Sequence, residues 1–185
     1  LGFEGNAAAR YFGHFGDMLS RPDEPAGDWG FDFQRRTRRP PTDRVNALLS
    51  FAYAMLVRHV SVVLTAVGFD PYRGFMHQPR YGRPALALYL MEPMRPLLAD
   101  SAVLMVINNG EVDPADFVVR GDAVNLDERG RRAFIAAFER RLGQEVTHPV
   151  FGYAAQWRQM VELQCRLLAR HLLGEIDTYP NFVTR

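Results

Sequence analysis

A chain of 185 residues with 48% hydrophobic side chains has enough apolar material for one good-sized domain and excludes wholesale disorder. Its 22 basic and 21 acidic residues give a formal net charge of +1, which excludes a polycation, so any nucleic-acid contact must come from a local basic patch. A single cysteine excludes an internal disulfide, no apolar run reaches the roughly 18 residues a membrane span needs, and no signal peptide is recognisable; the composition fits a cytoplasmic protein with no membrane partner. The first element is a helix over Leu1–Leu19, in which Ala8, Tyr11, Phe12, Phe15, Met18 and Leu19 recur at helical spacing. Glu4 lies four before Ala8 and seven before Tyr11, on the same apolar face, where a carboxylate is costly unless something pairs with it. The chain begins without methionine and is helical from its start, which reads as a fragment of a longer protein whose missing part lies N-terminal.

From Arg21 to Pro41 the periodicity disappears and Pro and Gly dominate, ending in Arg35, Arg36, Arg38 and Arg39. So long an unpatterned stretch suggests a functional loop. Thr42 or Asp43 caps a second helix marked by Leu48, Leu49, Ala52, Tyr53, Leu56, Val60 and Leu64, with Gly68 as its stop and Asp70-Pro71 as the break. A Gly- and Pro-punctuated loop over Phe69–Pro84 carries His77. A third helix follows Pro84 and should be kinked by Pro93 and Pro96, and Val103–Ile107 reads as further buried helix. Asp113-Pro114 begins a short helical turn, and Gly121–Val124 suits a brief extended piece. Asp127 caps a helix through Phe134, Phe138 and Leu142 that His148-Pro149 breaks. The last helix is read over Phe151–Leu173, with Met160, Leu163, Leu167, Leu168 and Leu172 inward and Gly174 as its end. Cys165 reads as a buried thiol, and His148 and His171 as structural. The fold expected is all-α: one helical domain over residues 1–185 around one apolar core.

Three residues carry chemistry in this pattern. Glu4 faces inward. His77 sits in a Gly-flanked loop near Arg80 and Arg83. Glu92 lies on the helix that follows. Two carboxylates and an imidazole suit Mg²⁺ or Mn²⁺, and such an ion can polarise a phosphodiester while arginines hold the flanking phosphates. All 22 basic side chains are arginine, whose fork matches phosphate oxygens, although a GC-rich genome produces the same bias. By spacing alone the three also fit a Glu paired with an Arg and a solvated His.

Three stretches in order resemble one family: Glu4-Gly-Asn-Ala-Ala-Ala-Arg-Tyr-Phe12; Arg38-Arg-Pro-Pro-Thr-Asp-Arg-Val-Asn-Ala-Leu-Leu-Ser-Phe-Ala-Tyr53; and Gly68-Phe-Asp-Pro-Tyr-Arg-Gly-Phe-Met-His77, continued by Gly82–Asp100. Glu162-Leu-Gln164 and Tyr179-Pro-Asn-Phe182 fit as well. The sequence is similar to the CRISPR-associated spacer-acquisition integrases, the Cas1 family, in their C-terminal helical domain. The N-terminal β-rich domain of that family has no counterpart here, and in some relatives the N-terminal part includes a fused exonuclease or reverse transcriptase. The resemblance implies a prokaryotic metal-dependent endonuclease and integrase that inserts spacers into a CRISPR array by 3′-hydroxyl attack on repeat phosphodiesters. It implies Glu4, His77 and Glu92 as catalytic metal ligands, with double-stranded DNA and a small Cas2 subunit as partners and a homodimer at full length. Arg38, Arg39, Asn46, Tyr53, Arg80 and Arg83 are candidate DNA-binding residues. Two positions depart from the family: Ala85 stands where Ser is frequent, and Tyr89 where Asp is usual. Tyr89 lies three before Glu92, on the same helical face, and its presence raises a second reading, a catalytically weakened DNA- or partner-binding module.

Overall fold

A computed structural model describes residues 2–20, 29–74 and 82–183, apart from the side chains of Phe3 and Glu4. The chain divides into two compact units, residues 1–52 with 100–138 and residues 53–99 with 139–185.

In the first unit, α1 (Gly2–Gly13) is followed by a 3₁₀ turn at Gly16–Met18. Of the apolar face read from the sequence, Phe15 and Leu19 are buried, Tyr11 and Phe12 are half-buried, and Ala8 and Met18 are exposed. The Tyr11 hydroxyl donates to Asp100 Oδ2 at 2.8 Å, so the nearly buried Asp100 carboxylate keeps a partner, as burial demands. The helix α2 (Arg44–Val67) starts where expected: Asp43 Oδ1 accepts the Asn46 N–H at 2.7 Å, satisfying a donor the first turn leaves open. Its first two turns bury Val45, Leu48, Leu49 and Ala52. The helix α4 (Ser101–Asn108) confirms Val103–Ile107 as buried helix, and a 3₁₀ turn at Pro114–Asp116 follows, boxed by Asp113 and Asp116.

A hairpin comes next, β1 (Phe117–Arg120) against β2 (Ala123–Leu126), antiparallel with Phe117 opposite Leu126. Gly121 has φ +58° and, among the described residues, none other than glycine has positive φ, so the Gly121-Asp122 turn carries the φ signs of type II′, which fits the strand twist. The helix α5 (Glu128–Gly143) opens on Asp127, whose Oδ1 accepts the Gly130 N–H at 2.7 Å. A side chain at Gly130 would meet Asp116 Cβ at 2.9 Å, so the close approach of α5 to the 3₁₀ turn requires glycine.

In the second unit, the rest of α2 buries Leu56, Val60 and Leu64 and ends in a Schellman motif: Phe69 N–H bonds Leu64 O, Gly68 N–H bonds Thr65 O, and Gly68 has φ +103°. By length and composition α2 could cross a membrane, with a mean hydropathy of 1.8, which corrects the expectation that no run is long enough. Its stripe at Leu48, Ala52, Leu56, Val60 and Leu64 is almost completely buried, so core packing accounts for that apolarity. The helix α3 (Ala85–Met91) passes into a 3₁₀ turn at Glu92–Met94 and a π turn at Arg95–Asp100. Pro93 and Pro96 lack the N–H groups an α-helix needs there, so the register shifts while the helical path continues. Arg141 places Nε and Nη2 on Leu97 O at 2.9 and 2.7 Å, satisfying a carbonyl in the shifted turn.

The structure overturns the all-α expectation here too. A second hairpin, β3 (Glu145–Thr147) with β4 (Ala154–Gln156), occupies residues read as the end of one helix and the start of the next. Accordingly α5 stops at Gly143 and not at His148, and α6 (Trp157–Leu172) begins six residues later than Phe151. Ala154, Ala155 and Gln156 are good helix formers, and three-residue strands carry no period of their own; cross-strand pairing decided the matter. Along α6, Met160 and Leu167 are buried, Leu163 and Leu168 half-buried, and Leu172 is exposed. A Schellman motif at Gly174 closes α6, and the tail packs through Phe182, which is buried.

Candidate active site

Glu92 stands just past α3, in the 3₁₀ turn that Pro93 imposes. Its side chain is half-exposed, and its Oε1 lies 2.9 Å from Arg95 Nη2. The Arg95 guanidinium in turn lies 5.1 Å over the Tyr53 ring, a cation–π contact that fixes the fork from its other face. The carboxylate is therefore aimed by a cation that is itself held. Glu92 lines a cavity of about 320 Å³ with Leu86, Tyr89, Leu90 and Pro93 from its own segment, Leu168 from α6, and Tyr179 and Asn181 from the tail. Tyr89 and Glu92 thus share one cavity wall, as their three-residue spacing implied.

The other sequence-predicted site residues are distributed as follows. Glu4 lies on α1 in the first unit, its side chain outside the described residues. His77 and Arg80 lie outside the described residues. Among the described residues no group of three or more His, Cys, Asp and Glu could hold a metal. Arg38 belongs to the first unit and lines a cavity of about 380 Å³ with Gln34, Arg35, Arg36 and, from α1 and its end, Ala8, Ala9, Phe12 and Gly13. Arg35, Arg38 and Arg39 are exposed, as is Arg83 in the second unit.

Asn46 takes a different role from the one its motif suggested. It is fully buried. Its Nδ2 donates to Arg35 O at 2.8 Å and to Asp43 Oδ2, and its Oδ1 accepts from Arg36 Nη1 at 2.8 Å and from Thr37 N–H at 2.9 Å. All the hydrogen-bonding capacity of the amide is spent on the protein, so it pegs the arginine segment to the start of α2 and offers nothing to DNA. Arg36 reaches Ser50 Oγ as well, at 3.1 Å, and is similarly committed.

Sequence reasoning did not single out Arg95, which has no periodic signature, and it noted Gln164 within a family motif without assigning a role to a polar residue on the buried face of α6 between Met160 and Leu167. That inward placement was a usable signal, since buried amides keep partners. Cys165 is buried, and burial pushes its thiol up to about 12, consistent with an inert core thiol.

A family model described as CRISPR associated protein Cas1 matches residues 1–140. A Cas4 exonuclease/Cas1 endonuclease fusion of Geobacter sulfurreducens is 62% identical over 185 residues, covering 100% of this chain and 33% of that protein. A casposase solved bound to integration product matches with a TM-score of 0.83 at 26% identity, over 98% of this chain and 50% of its own. A partial Cas6-RT-Cas1–Cas2 complex includes a chain that matches with a TM-score of 0.79 at 27% identity, over 98% of this chain and 52% of its own. The chain thus spans a third of that fusion and about half of each of those structures.

Proposed function

Because this chain belongs to the CRISPR-associated Cas1 family, we propose that it is the catalytic domain of a DNA endonuclease and integrase that inserts spacers into a CRISPR array. The reaction is attack of a DNA 3′-hydroxyl on a repeat phosphodiester, with water giving nuclease activity at the same site. The observation that carries this reading is the Glu92 carboxylate, set at a cavity wall and aimed by Arg95. Glu4, His77 and Glu92 supply two carboxylates and an imidazole, a donor set suited to Mg²⁺ or Mn²⁺. Glu92 suits that role by its chemistry: it is a carboxylate on a half-exposed side chain, with its Oε1 2.9 Å from Arg95 Nη2. Bound there, the ion supplies Lewis-acid polarisation of the phosphate.

Arg38, Arg39, Arg80 and Arg83, joined by Arg35, hold phosphates of double-stranded DNA, positioning it without reading sequence. Asn46 is not carried forward as a contact, and Tyr53 acts by seating Arg95. The casposase similarity supports strand transfer, since that protein was captured with an integration product. The Cas1–Cas2 similarity supports a Cas2 partner, with a homodimer at full length, in the prokaryotic cytoplasm.

Calorimetric titration of Mn²⁺ into the parent and His77→Ala, followed by strand transfer of a labelled 3′-hydroxyl DNA into repeat-bearing duplex, tests this. Binding lost in the variant and Mn²⁺-dependent joining are expected; joining unchanged in Glu92→Ala would overturn the reading. Tyr89, which lines the Glu92 cavity where the family usually has Asp, favours a second reading, a catalytically weakened DNA- or partner-binding module. Joining that needs Mn²⁺ and vanishes in Glu92→Ala rejects it.

A further inference from the structure

Behind the wall of the Glu92 cavity lies a buried polar chain that core packing alone does not require. Gln164 is 3% exposed among Met160, Val161, Cys165 and Leu167 of α6, all buried. Its amide lies between two partners, the Tyr179 hydroxyl at 2.8 Å and His148 Nε2 at 3.3 Å. Because His148 Nδ1 accepts backbone N–H groups, its Nε2 carries the ring proton and donates to the amide oxygen, with the amide turned so that its NH2 donates to the Tyr179 oxygen. His148 is fully buried and is itself fixed. Its Nδ1 accepts the N–H groups of Val150 and Phe151 at 3.1 and 3.2 Å, and its backbone pairs with Tyr153 O and Gly152 N–H. The same imidazole meets the Phe182 ring edge-on at 5.5 Å, and Phe182 packs on Trp157 at 5.3 Å. A segment without helix or strand ordinarily stays mobile unless side chains tie it down. This one is tied at Tyr179 by a hydrogen bond and at Phe182 by ring packing. Between those ties lies Asn181, which with Tyr179 faces the cavity that Glu92 lines.

We propose that Gln164 is a positioning residue for the Glu92 site. Linked to His148 on one side and Tyr179 on the other, it fixes residues 179–182 so that Tyr179 and Asn181 stand as the cavity wall opposite α3. On the reading of the chain as an integrase, on which the catalytic half of this proposal rests, that wall sets the shape in which a DNA end is received beside Glu92. Gln164 touches no substrate and acts through Tyr179.

The test uses the full chain with Gln164→Leu, Tyr179→Phe and the double variant, each checked for its melting temperature. Two readouts follow: amide hydrogen exchange over residues 179–183, and strand-transfer kinetics separated into kcat and KM. Gln164→Leu is expected to raise exchange in that segment by about tenfold or more. It should lower kcat by about tenfold to a hundredfold with KM within about threefold, the pattern of misplaced groups and not of lost binding. Tyr179→Phe, which removes one oxygen and leaves the core filled, should reproduce part of both effects, and the double variant should add little to Gln164→Leu, because the two act as one unit. Unchanged exchange in Tyr179→Phe overturns the proposal even if Gln164→Leu fails to fold. Full kcat alongside raised exchange overturns it as well. Glu92→Ala run in parallel separates the two ideas: if it keeps parent activity the catalytic reading fails, and unchanged exchange alone then decides against the anchoring of the tail.

Discussion

The Arg38 cavity and the Glu92 cavity are built on opposite electrostatic plans. The one in the first unit presents Arg35 and Arg38 beside Ala8, Ala9 and Phe12 of α1, on a backbone pegged by Asn46. The one in the second unit is largely apolar, with one carboxylate aimed by Arg95 and a tail held by Gln164. In the first, the buried polar residue fixes backbone and leaves arginines exposed to act at range through charge. In the second, polar residues fix one another, so that a single acid is presented in one geometry. Binding by charge tolerates loosely held groups, whereas chemistry at a phosphate requires held ones.

The largest expected effect is at Glu92. Glu92→Ala should reduce strand transfer by about a thousandfold or more, measured with saturating DNA, while DNA affinity stays within a few-fold; an equal loss in both would make Glu92 a general structural residue. Asn46→Leu should cost about 3 kcal/mol of stability in denaturant titration, because it leaves buried partners without bonds. A value under about 1 kcal/mol would show that the arginine segment does not depend on the peg. Arg95→Lys keeps the charge but loses the planar fork over Tyr53. About tenfold slower joining at unchanged DNA affinity is expected, and parent kinetics would remove Arg95 from the site. Arg38→Ala should weaken DNA binding only a few-fold, alike across sequences, and lower the salt slope by about one; a change confined to one sequence would contradict a phosphate contact.

The smallest effect is on stability with pH. Burial lowers both His59 and His148 from the ordinary 6.5, and His59 Nε2 is buried without a hydrogen-bond partner among the described residues. With the folded values below the unfolded one, the unfolded chain binds more protons as pH falls. Stability is thus full above about 6.5 and declines below it toward the folded values. Melting temperatures at pH 7.5 and 5.5 check this: a drop at the lower pH that His148→Asn reduces is expected, and a rise would reverse the sign.

Much of the fold was legible residue by residue. The caps at Asp43 and Asp127, the stop at Gly68, the interruption at Pro93 and Pro96 and the buried stripe of α2 all follow from chemistry acting within about four residues. The shared orientation of Tyr89 and Glu92 has the same local origin, and the motif resemblance led to the family that the comparisons establish. The β3–β4 hairpin was not legible, because Glu145–Thr147 and Ala154–Gln156 are too short for a period, and the intervening His148-Pro149 reads equally as a helix break. Nor were Asn46 as a peg, Arg95 over Tyr53, or Gln164 between His148 and Tyr179. Those roles tie residues up to 42 positions apart. The sequence by itself determined the family, the presence of the principal helices and the ends that local caps set, as at Asp43, Gly68, Asp127 and Gly174. Only the tertiary structure decided which polar side chains are spent on holding the chain and which face a cavity, because that division depends on partners that local spacing does not specify.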